Sequence, residues 1–322
     1  MNSEWVSSVL SPKTIADIIG INYDVGSIKE CVLLRSYVND VYKVTSDSNK
    51  FVFKLYREGW RTKENILFEI DFLAHVSKHG VHVSLPVRAI DGEFIHSLDA
   101  PEGLRFYVLY DYARGGKPQR PFTDSLYRRV GEELAKLHNA SITFQSVHER
   151  FGLNTVNMLE KPLAYIKSYM LDRQDDWLFL QDVSSKAKEK LSALDKDMSM
   201  GVCHGDMSLD NLNVTDNGII TFYDFDACGY GYLSFDLLGA YSVGKLYDKE
   251  RFWQAQLQGY MSFKGVSAGD LEALPYLRIL YDIWSIGNNA TIWAKTSGLW
   301  RISGEHLDTC LCDLKRWVTL LC

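Results

Sequence analysis

Proline and cysteine are scarce: the 322 residues include seven prolines and six cysteines. So little proline beside 24% charged residues excludes extended disorder and collagen-like repeats. Cys31, Cys203, Cys228, Cys310, Cys312 and Cys322 contain no CxxC pair, and the single residue between Cys310 and Cys312 is too short a gap for a zinc knuckle. They read as reduced thiols. A basic excess is missing too. Lys and Arg number 35 against 41 Asp and Glu, a net charge of −6, which argues against a nucleic-acid partner. No apolar run reaches the ~18 residues of a membrane span. The N-terminus lacks the basic region and apolar core of a secretory signal. The expected setting is cytoplasmic, with no membrane partner.

What is present supports a sizeable core: 46% of residues are hydrophobic and 13% aromatic. At roughly 150 residues per domain, the length suggests two domains or lobes. Residues 12–20 read as a short helix with Pro12 at its start and Gly20 at its end. Runs at 31–36, 40–45 and 50–56 read as an antiparallel meander. Residues 61–79 switch to helical period through Ile66, Ile70, Leu73 and Val76. Runs at 85–90 and 93–96 flank Asp91-Gly92, which predicts a hairpin, and 104–112 is a further strand. Residues 113–118 break all periodicity, and helices at 123–142, 157–171 and 175–196 follow. Strands at 212–215 and 219–223 are joined by Asp216-Asn217-Gly218, and helices dominate from 233 onward. The expectation is an α+β chain with a sheet-bearing lobe over 1–112 and a helical lobe over 113–322.

The segment richest in chemistry is His204-Gly205-Asp206, with Asn211 five residues on and Tyr223-Asp224-Phe225-Asp226 beyond a short hairpin. Each piece alone is an ordinary turn or loop end. Together they are specific, because paired strands lie ~5 Å apart and the hairpin returns Asp224 to the side of Asn211. An amide oxygen and a carboxylate so placed are hard ligands for Mg²⁺. Asp206 adds a carboxylate able to orient a hydroxyl and accept its proton, the set that phosphoryl transfer needs.

These residues resemble the aminoglycoside phosphotransferase and choline kinase superfamily of small-molecule kinases, which have the protein-kinase fold. Asp236-Leu237 and Gly131-x-x-Leu134-Ala135-x-Leu137-His138 extend the resemblance along the chain. Tyr56-Arg57, Trp60, Glu69, Leu73 and Pro86-Val87 look closer to the bacterial stress-response kinase and homoserine kinase type II branch. The resemblance implies Asp206 as catalytic base, Asn211 and Asp224 as Mg²⁺ ligands, His204 as a brace for the loop, and Asp236 as its tie to the helix that follows. Asp226 either supports the site from behind or reaches a second metal.

The resemblance also implies ATP or GTP as phosphate donor, with a lysine on the phosphates and a carboxylate to hold it. Lys54 lies among apolar residues of the run at 50–56. A lysine there ordinarily faces solvent. The downstream motif turns it into the nucleotide lysine. Glu64 and Glu69 are its candidate partners, and Glu69 has the better framing, between Phe68 and Ile70. The turn at 35–42 contains no glycine, where a protein kinase would place three. Backbone amides of Ser36–Asn39 are the expected phosphate contacts, and the Asp111 carbonyl and Ala113 amide the adenine contacts.

The acceptor pocket implied by the resemblance lies among the C-terminal helices. Asp172, Asp175, Asp176 and Asp182, with Tyr276, Tyr281, Asp282, Trp284, Asn288, Asn289, Trp293 and Trp300, are the candidate acidic and aromatic wall for a small, cationic hydroxyl compound. The same aromatic stripe is also what plain core packing looks like. Two other functions stay open: a Ser/Thr protein kinase, and a nucleotide-binding regulator without catalysis.

Overall fold

The computed structural model describes residues 5–293 and 303–320. Helix α1 (Pro12–Asn22) starts where Ser11 accepts from the Thr14 N–H and Pro12 fills a first-turn position that needs no donor. Strands β1 (Ile28–Ser36), β2 (Asp40–Ser46) and β3 (Lys50–Leu55) form the expected meander. Helix α2 (Lys63–Lys78), capped by Thr62, crosses to β4 (His96–Ala100) and β5 (Gly103–Asp111). The five strands are ordered β1-β2-β3-β5-β4, all neighbours antiparallel.

One prediction holds only at the turn. Asp91-Gly92 does turn, with Gly92 at φ 90°, and the runs on either side share one bond, from the Ala89 N–H to the Glu93 carbonyl (2.8 Å), but no hairpin ladder extends beyond it. They lie in sequence along one edge of β5. The Val87 N–H donates to the Leu109 carbonyl (2.8 Å) and the Asp111 N–H to the Leu85 carbonyl (2.8 Å), while β4 covers the other half of that edge. Pro86 has no N–H to give a ladder, which confines this segment to isolated bridging.

Beyond the sheet, α3 (Asp124–Ser141) packs along α7 (Glu250–Met261), the most extensive contact between elements. The single helix expected over 157–171 is three pieces instead: a π turn at 156–160, α4 (Lys161–Ile166) and a 3₁₀ turn at 167–169. Pro162 lacks the N–H that an unbroken helix needs, and the turn before it widens. Helix α5 (Gln174–Leu194) follows.

Two two-stranded ribbons carry the loops of interest: β6 (Met200–Cys203) with β9 (Gly229–Tyr232), and β7 (Leu212–Val214) with β8 (Ile220–Phe222). Helices α6 (Leu238–Leu246), α7, α8 (Ala268–Asn288) and α9 (Gly304–Thr319) close the C-terminal side. Two apolar cores result. One lies between α1 and the sheet, around Ile15, Tyr42, Phe53 and Leu109. The larger runs from α2 through the helices to Trp317. The architecture is a two-lobed kinase-like α+β fold. No helix among the described residues is long and apolar enough to cross a membrane.

Candidate active site

The segment from β6 to β7 is built around three polar anchors. Gly205 has φ +83°, and a Cβ there would sit 2.2 Å from the Ala227 carbonyl oxygen, so only glycine fits. The buried Asp236 carboxylate accepts from the His204 N–H (2.6 Å), the Gly205 N–H (2.9 Å) and His138 Nε2 (3.0 Å). His204 Nδ1 accepts from the Asp206 N–H (3.3 Å), so its Nε2 carries the proton donated to the Tyr223 carbonyl (3.0 Å). The imidazole thus joins the Asp206 loop to the residue before Asp224.

Asn211 makes the second connection. Its Nδ2 donates to the Asp206 backbone carbonyl (2.8 Å) and to Asp206 Oδ2 (2.9 Å), which leaves Oδ1 as the end free to ligate. Its own carbonyl accepts from the Tyr223 N–H (3.0 Å), extending the β7–β8 pairing by one bond. Asp224 then adopts the left-handed conformation (φ 63°, ψ 58°), a sparsely populated region for a residue with a side chain. The chain thus brings Asp206, Asn211 and Asp224 together, as the spacing predicted.

Lys54 on β3 meets three carboxylates: Asp224 at 3.3 Å, Glu69 at 3.7 Å and Asp226 at 3.7 Å. Glu69 also accepts from the Tyr56 and Tyr110 hydroxyls, each at 3.2 Å. Glu64, the other candidate, points elsewhere and pairs with His148 at 2.7 Å. Burial alone would push the Lys54 ammonium down, but Glu69, Asp226 and Asp224 outweigh it and hold it above its ordinary value. Burial would likewise raise Asp224, yet Lys54 and Arg35 keep its carboxyl below the ordinary range. Asp206 goes the other way. It is exposed at the cleft surface, yet the surrounding walls crowd it, and that crowding, with Asp224 nearby, raises its carboxyl against the pull of His204 and Asn211.

Asp226 is held mainly from behind, though among the described residues its buried Oδ1 has only ion pairs and no hydrogen bond. The Trp60 indole N–H donates to its Oδ2 (2.6 Å), and Arg61 lies 3.4 Å from its Oδ1. Arg61 and Arg150 both donate to its backbone carbonyl. Trp60 and Arg61 come from the segment before α2 and Arg150 from the chain after α3, so Asp226 fastens both to the chain after β8.

A cavity of about 260 Å³ lies beside this cluster, lined by Lys54, Glu69, Ser84, Tyr110, Ala113, Asn213 and Asp224 among others. Ala113 is at its wall, and its carbonyl accepts from Asn213 Nδ2 (2.8 Å). The Asp111 side chain points out of the cavity, and its carbonyl accepts from the Ser84 hydroxyl. Asn39 does not line the cavity. Its Oδ1 accepts from the Arg57 N–H (3.2 Å) and braces the turn it belongs to. Gly115 has φ +84°, and a Cβ there would lie 2.3 Å from the Val214 carbonyl oxygen, which is how closely the connecting chain crosses β7.

Two cations on this cavity were missed by sequence reasoning, Arg35 and Lys117. Arg35 donates to Asp224, and Lys117 to the Asp210 carbonyl. The one available signal was a cation within each of the two segments, 35–42 and 113–118. On the expected acceptor wall, Asp176 is held by Arg173 (2.7 Å) and Lys315 (2.8 Å), Asp182 by Lys186 (2.8 Å) and Asp282 by Arg278 (2.8 Å). Tyr281 stands close enough to Asp206 to feel its charge, though burial is the main cause of its hydroxyl being pushed up to about 12. Trp300 lies outside the described residues.

Residues 30–273 match the model of the phosphotransferase enzyme family. The chain belongs to that family. An uncharacterised protein of Deinococcus radiodurans is 30% identical over 292 residues, covering 87% of this chain and 82% of that one. A homoserine kinase of Brucella anthropi is 27% identical, covering 79% of this chain and 77% of that one. Among solved structures, the amicoumacin kinase hAmiN in complex with AMP-PNP, Ca2+ and Ami superposes with a TM-score of 0.77 at 20% identity, covering 96% of this chain and 92% of that one. A microcompartment-associated aminopropanol kinase superposes with a TM-score of 0.73 at 21% identity, covering 95% of this chain and 98% of that one. Family membership makes this phosphotransferase an enzyme.

Proposed function

We propose that this phosphotransferase moves the γ-phosphate of ATP, or of GTP, to a hydroxyl group of a small molecule, with Asp206 as the base. In this reading residues 1–112 form the nucleotide lobe and residues 113–322 carry the catalytic loop and the acceptor site. The observation that carries it is the double use of Asn211. One side chain fixes the Asp206 carboxylate through Nδ2, and the hairpin it opens returns Asp224 to its flank.

The donor set fits Mg²⁺: an amide oxygen and a carboxylate oxygen, both hard, from two residues, with room for phosphate and water. Asn211 and Asp224 would hold the ion, and when bound it neutralises charge on the phosphates. Lys54 meets the phosphates, kept in place by Glu69. The Asp111 carbonyl and Ala113 amide take the adenine edge, with Asn39 holding the phosphate-side turn in shape. Asp206 orients the acceptor hydroxyl and accepts its proton.

The names of the relatives, homoserine kinase, amicoumacin kinase and aminopropanol kinase, favour a small-molecule acceptor, and amine-bearing alcohols are the first class to test. A coupled assay of ADP release, run over hydroxylated metabolites, amino alcohols, aminoglycosides and serine peptides, decides it. Turnover with a small hydroxyl compound supports the proposal. Turnover with serine peptides alone makes the protein a Ser/Thr protein kinase, and nucleotide binding with no transfer to any of them makes it a regulator.

A further inference from the structure

We infer that Arg35 is a polyphosphate-binding residue that rests on the Asp224 carboxylate while no nucleotide is bound. This rests on the reading of Asp224 as a metal ligand and of the adjoining cavity as the nucleotide site.

The first observation is where the turn after β1 spends its polar groups. The Ser36 hydroxyl donates to Asp40 (2.5 Å), and the Tyr37 N–H to the Asn39 carbonyl (3.3 Å). The Asn39 side chain takes the Arg57 N–H (3.2 Å). The Arg57 guanidinium fastens the turn from behind, through the Val38 carbonyl (3.1 Å) and the Tyr37 carbonyl (2.7 Å). A glycine-rich turn grips phosphate with backbone N–H groups that come close because no Cβ intervenes. This turn has side chains at every position from 35 to 42 and much of its bonding is internal. A close backbone grip is hindered by these side chains, which gives a side-chain cation at the turn a part to play.

The second observation is the position of Arg35. It lies at the end of β1, opposite Val41, at the entrance to that turn. Its guanidinium crosses the cleft and donates to Asp224 Oδ2, and among the described residues this is its one hydrogen bond. It also lines the cavity with Lys54 and Lys117. The two cations on Asp224 differ in kind. Lys54 is 6% exposed and has Glu69 and Asp226 as further partners. Arg35 is 53% exposed, on a long side chain, with no second hydrogen-bond partner for its guanidinium among the described residues, although the charges of Asp226 and Asp206 also attract it. An exposed ion pair of this sort is weak and easily exchanged.

Exchange follows from these two facts. A divalent metal ion on the Asp224 carboxylate would stand beside the Arg35 guanidinium, and the two positive charges repel. When Asp224 turns to the metal, Arg35 is released beside the phosphates, whose oxygens its planar fork matches. Arg35 thereby supplies a contact that a glycine-rich turn would draw from its backbone.

The test compares wild type with Arg35→Gln and Arg35→Lys in three binding measurements: adenosine by calorimetry, ATP without divalent metal by calorimetry, and Mn²⁺ alone by electron paramagnetic resonance. Arg35→Gln should bind adenosine as wild type does, and ATP about tenfold more weakly, the scale of one charge-assisted contact. It should bind bare Mn²⁺ more tightly, because the competing cation has gone. Arg35→Lys should fall between wild type and Arg35→Gln for ATP. Loss of ATP and Mn²⁺ binding together would mark Arg35 as a structural strap and overturn the inference, as would unchanged ATP affinity. If wild type binds neither adenosine nor ATP, the nucleotide reading falls first and this one with it. Adenosine binding in the variants keeps the two failures apart.

Discussion

The Lys54 ammonium lies 3.7 Å from the Glu69 carboxylate, with side-chain exposures of only 6% and 2%. Two tyrosyl hydroxyls complete the Glu69 shell, and two further carboxylates share Lys54. Removing one member of a buried pair leaves the other desolvated and uncompensated, at a cost of about 3–5 kcal/mol. Lys54→Met should therefore lower unfolding free energy by about that amount, besides weakening nucleotide binding. Glu69→Gln should cost less, because Lys54 keeps Asp224 and Asp226. Urea titration reads both, and a Lys54→Met midpoint equal to wild type would show that the cluster carries no such energy.

Asp206 and Asp224 should fail differently. Asp206→Ala removes a carboxylate exposed at the cleft. The expected loss is about 10²–10⁴-fold in kcat, the usual scale for a positioned acid or base, with Mg²⁺-nucleotide affinity intact. Asp224→Ala should lose that affinity as well as turnover. Calorimetry with Mg²⁺-nucleotide separates the two, and equal loss of binding in both variants would remove Asp206 from the acceptor side.

Much of this site was legible because phosphoryl transfer needs different residue types at set distances. Asp206, Asn211 and Asp224 could be named from chemistry and spacing, and Lys54 and Glu69 from the resemblance that those residues carry; the fold brings the five side chains into one cluster. The misses have a common cause. Arg35 and Lys117 meet partners far along the chain, Asp224 at 189 residues and Asp210 at 93, and no local pattern marks such a pairing. The ribbon of β6 and β9 is only four residues a side, too short for a period to register. The hairpin at Asp91-Gly92 closes with one bond and goes no further, because the turn chemistry is local while the longer pairing is decided by the free edge of β5. The acidic wall is largely neutralised by near neighbours in sequence, since Arg173, Lys186 and Arg278 stand three or four residues from Asp176, Asp182 and Asp282, and only Lys315 reaches Asp176 from far along the chain.

Gly205→Ala tests whether the loop geometry, rather than its chemistry alone, matters. The substitution forces a side chain into φ +83° and a Cβ to 2.2 Å from the Ala227 carbonyl oxygen. The loop must move, and a residue incompatible with its backbone destabilises by more than about 1 kcal/mol. Because Gly205 precedes Asp206 directly, kcat should fall with little change in the nucleotide dissociation constant. Wild-type kcat in a stably folded Gly205→Ala variant would mean that the Asp206 position tolerates the shift.

Asp236 should govern the acid limb of stability. Its burial would raise the carboxyl, but His138, His204 and the Gly205 N–H outweigh this and hold it below the ordinary value. A carboxylate depressed in the folded state contributes stability that is present above its unfolded value, ~3.9. That contribution disappears as pH falls through the lower folded value. Asp236→Asn removes the titration. It also leaves His204, Gly205 and His138 facing one amide oxygen where a carboxylate had two. At neutral pH the variant should be less stable by about 3–5 kcal/mol, the scale for opening a buried charged cluster. Its unfolding free energy should then change less than that of wild type as pH falls below ~4. Urea unfolding measured across that range reads both effects. A variant with the full wild-type acid dependence would show that Asp236 is not the carboxylate through which acid loosens the loop bearing Asp206.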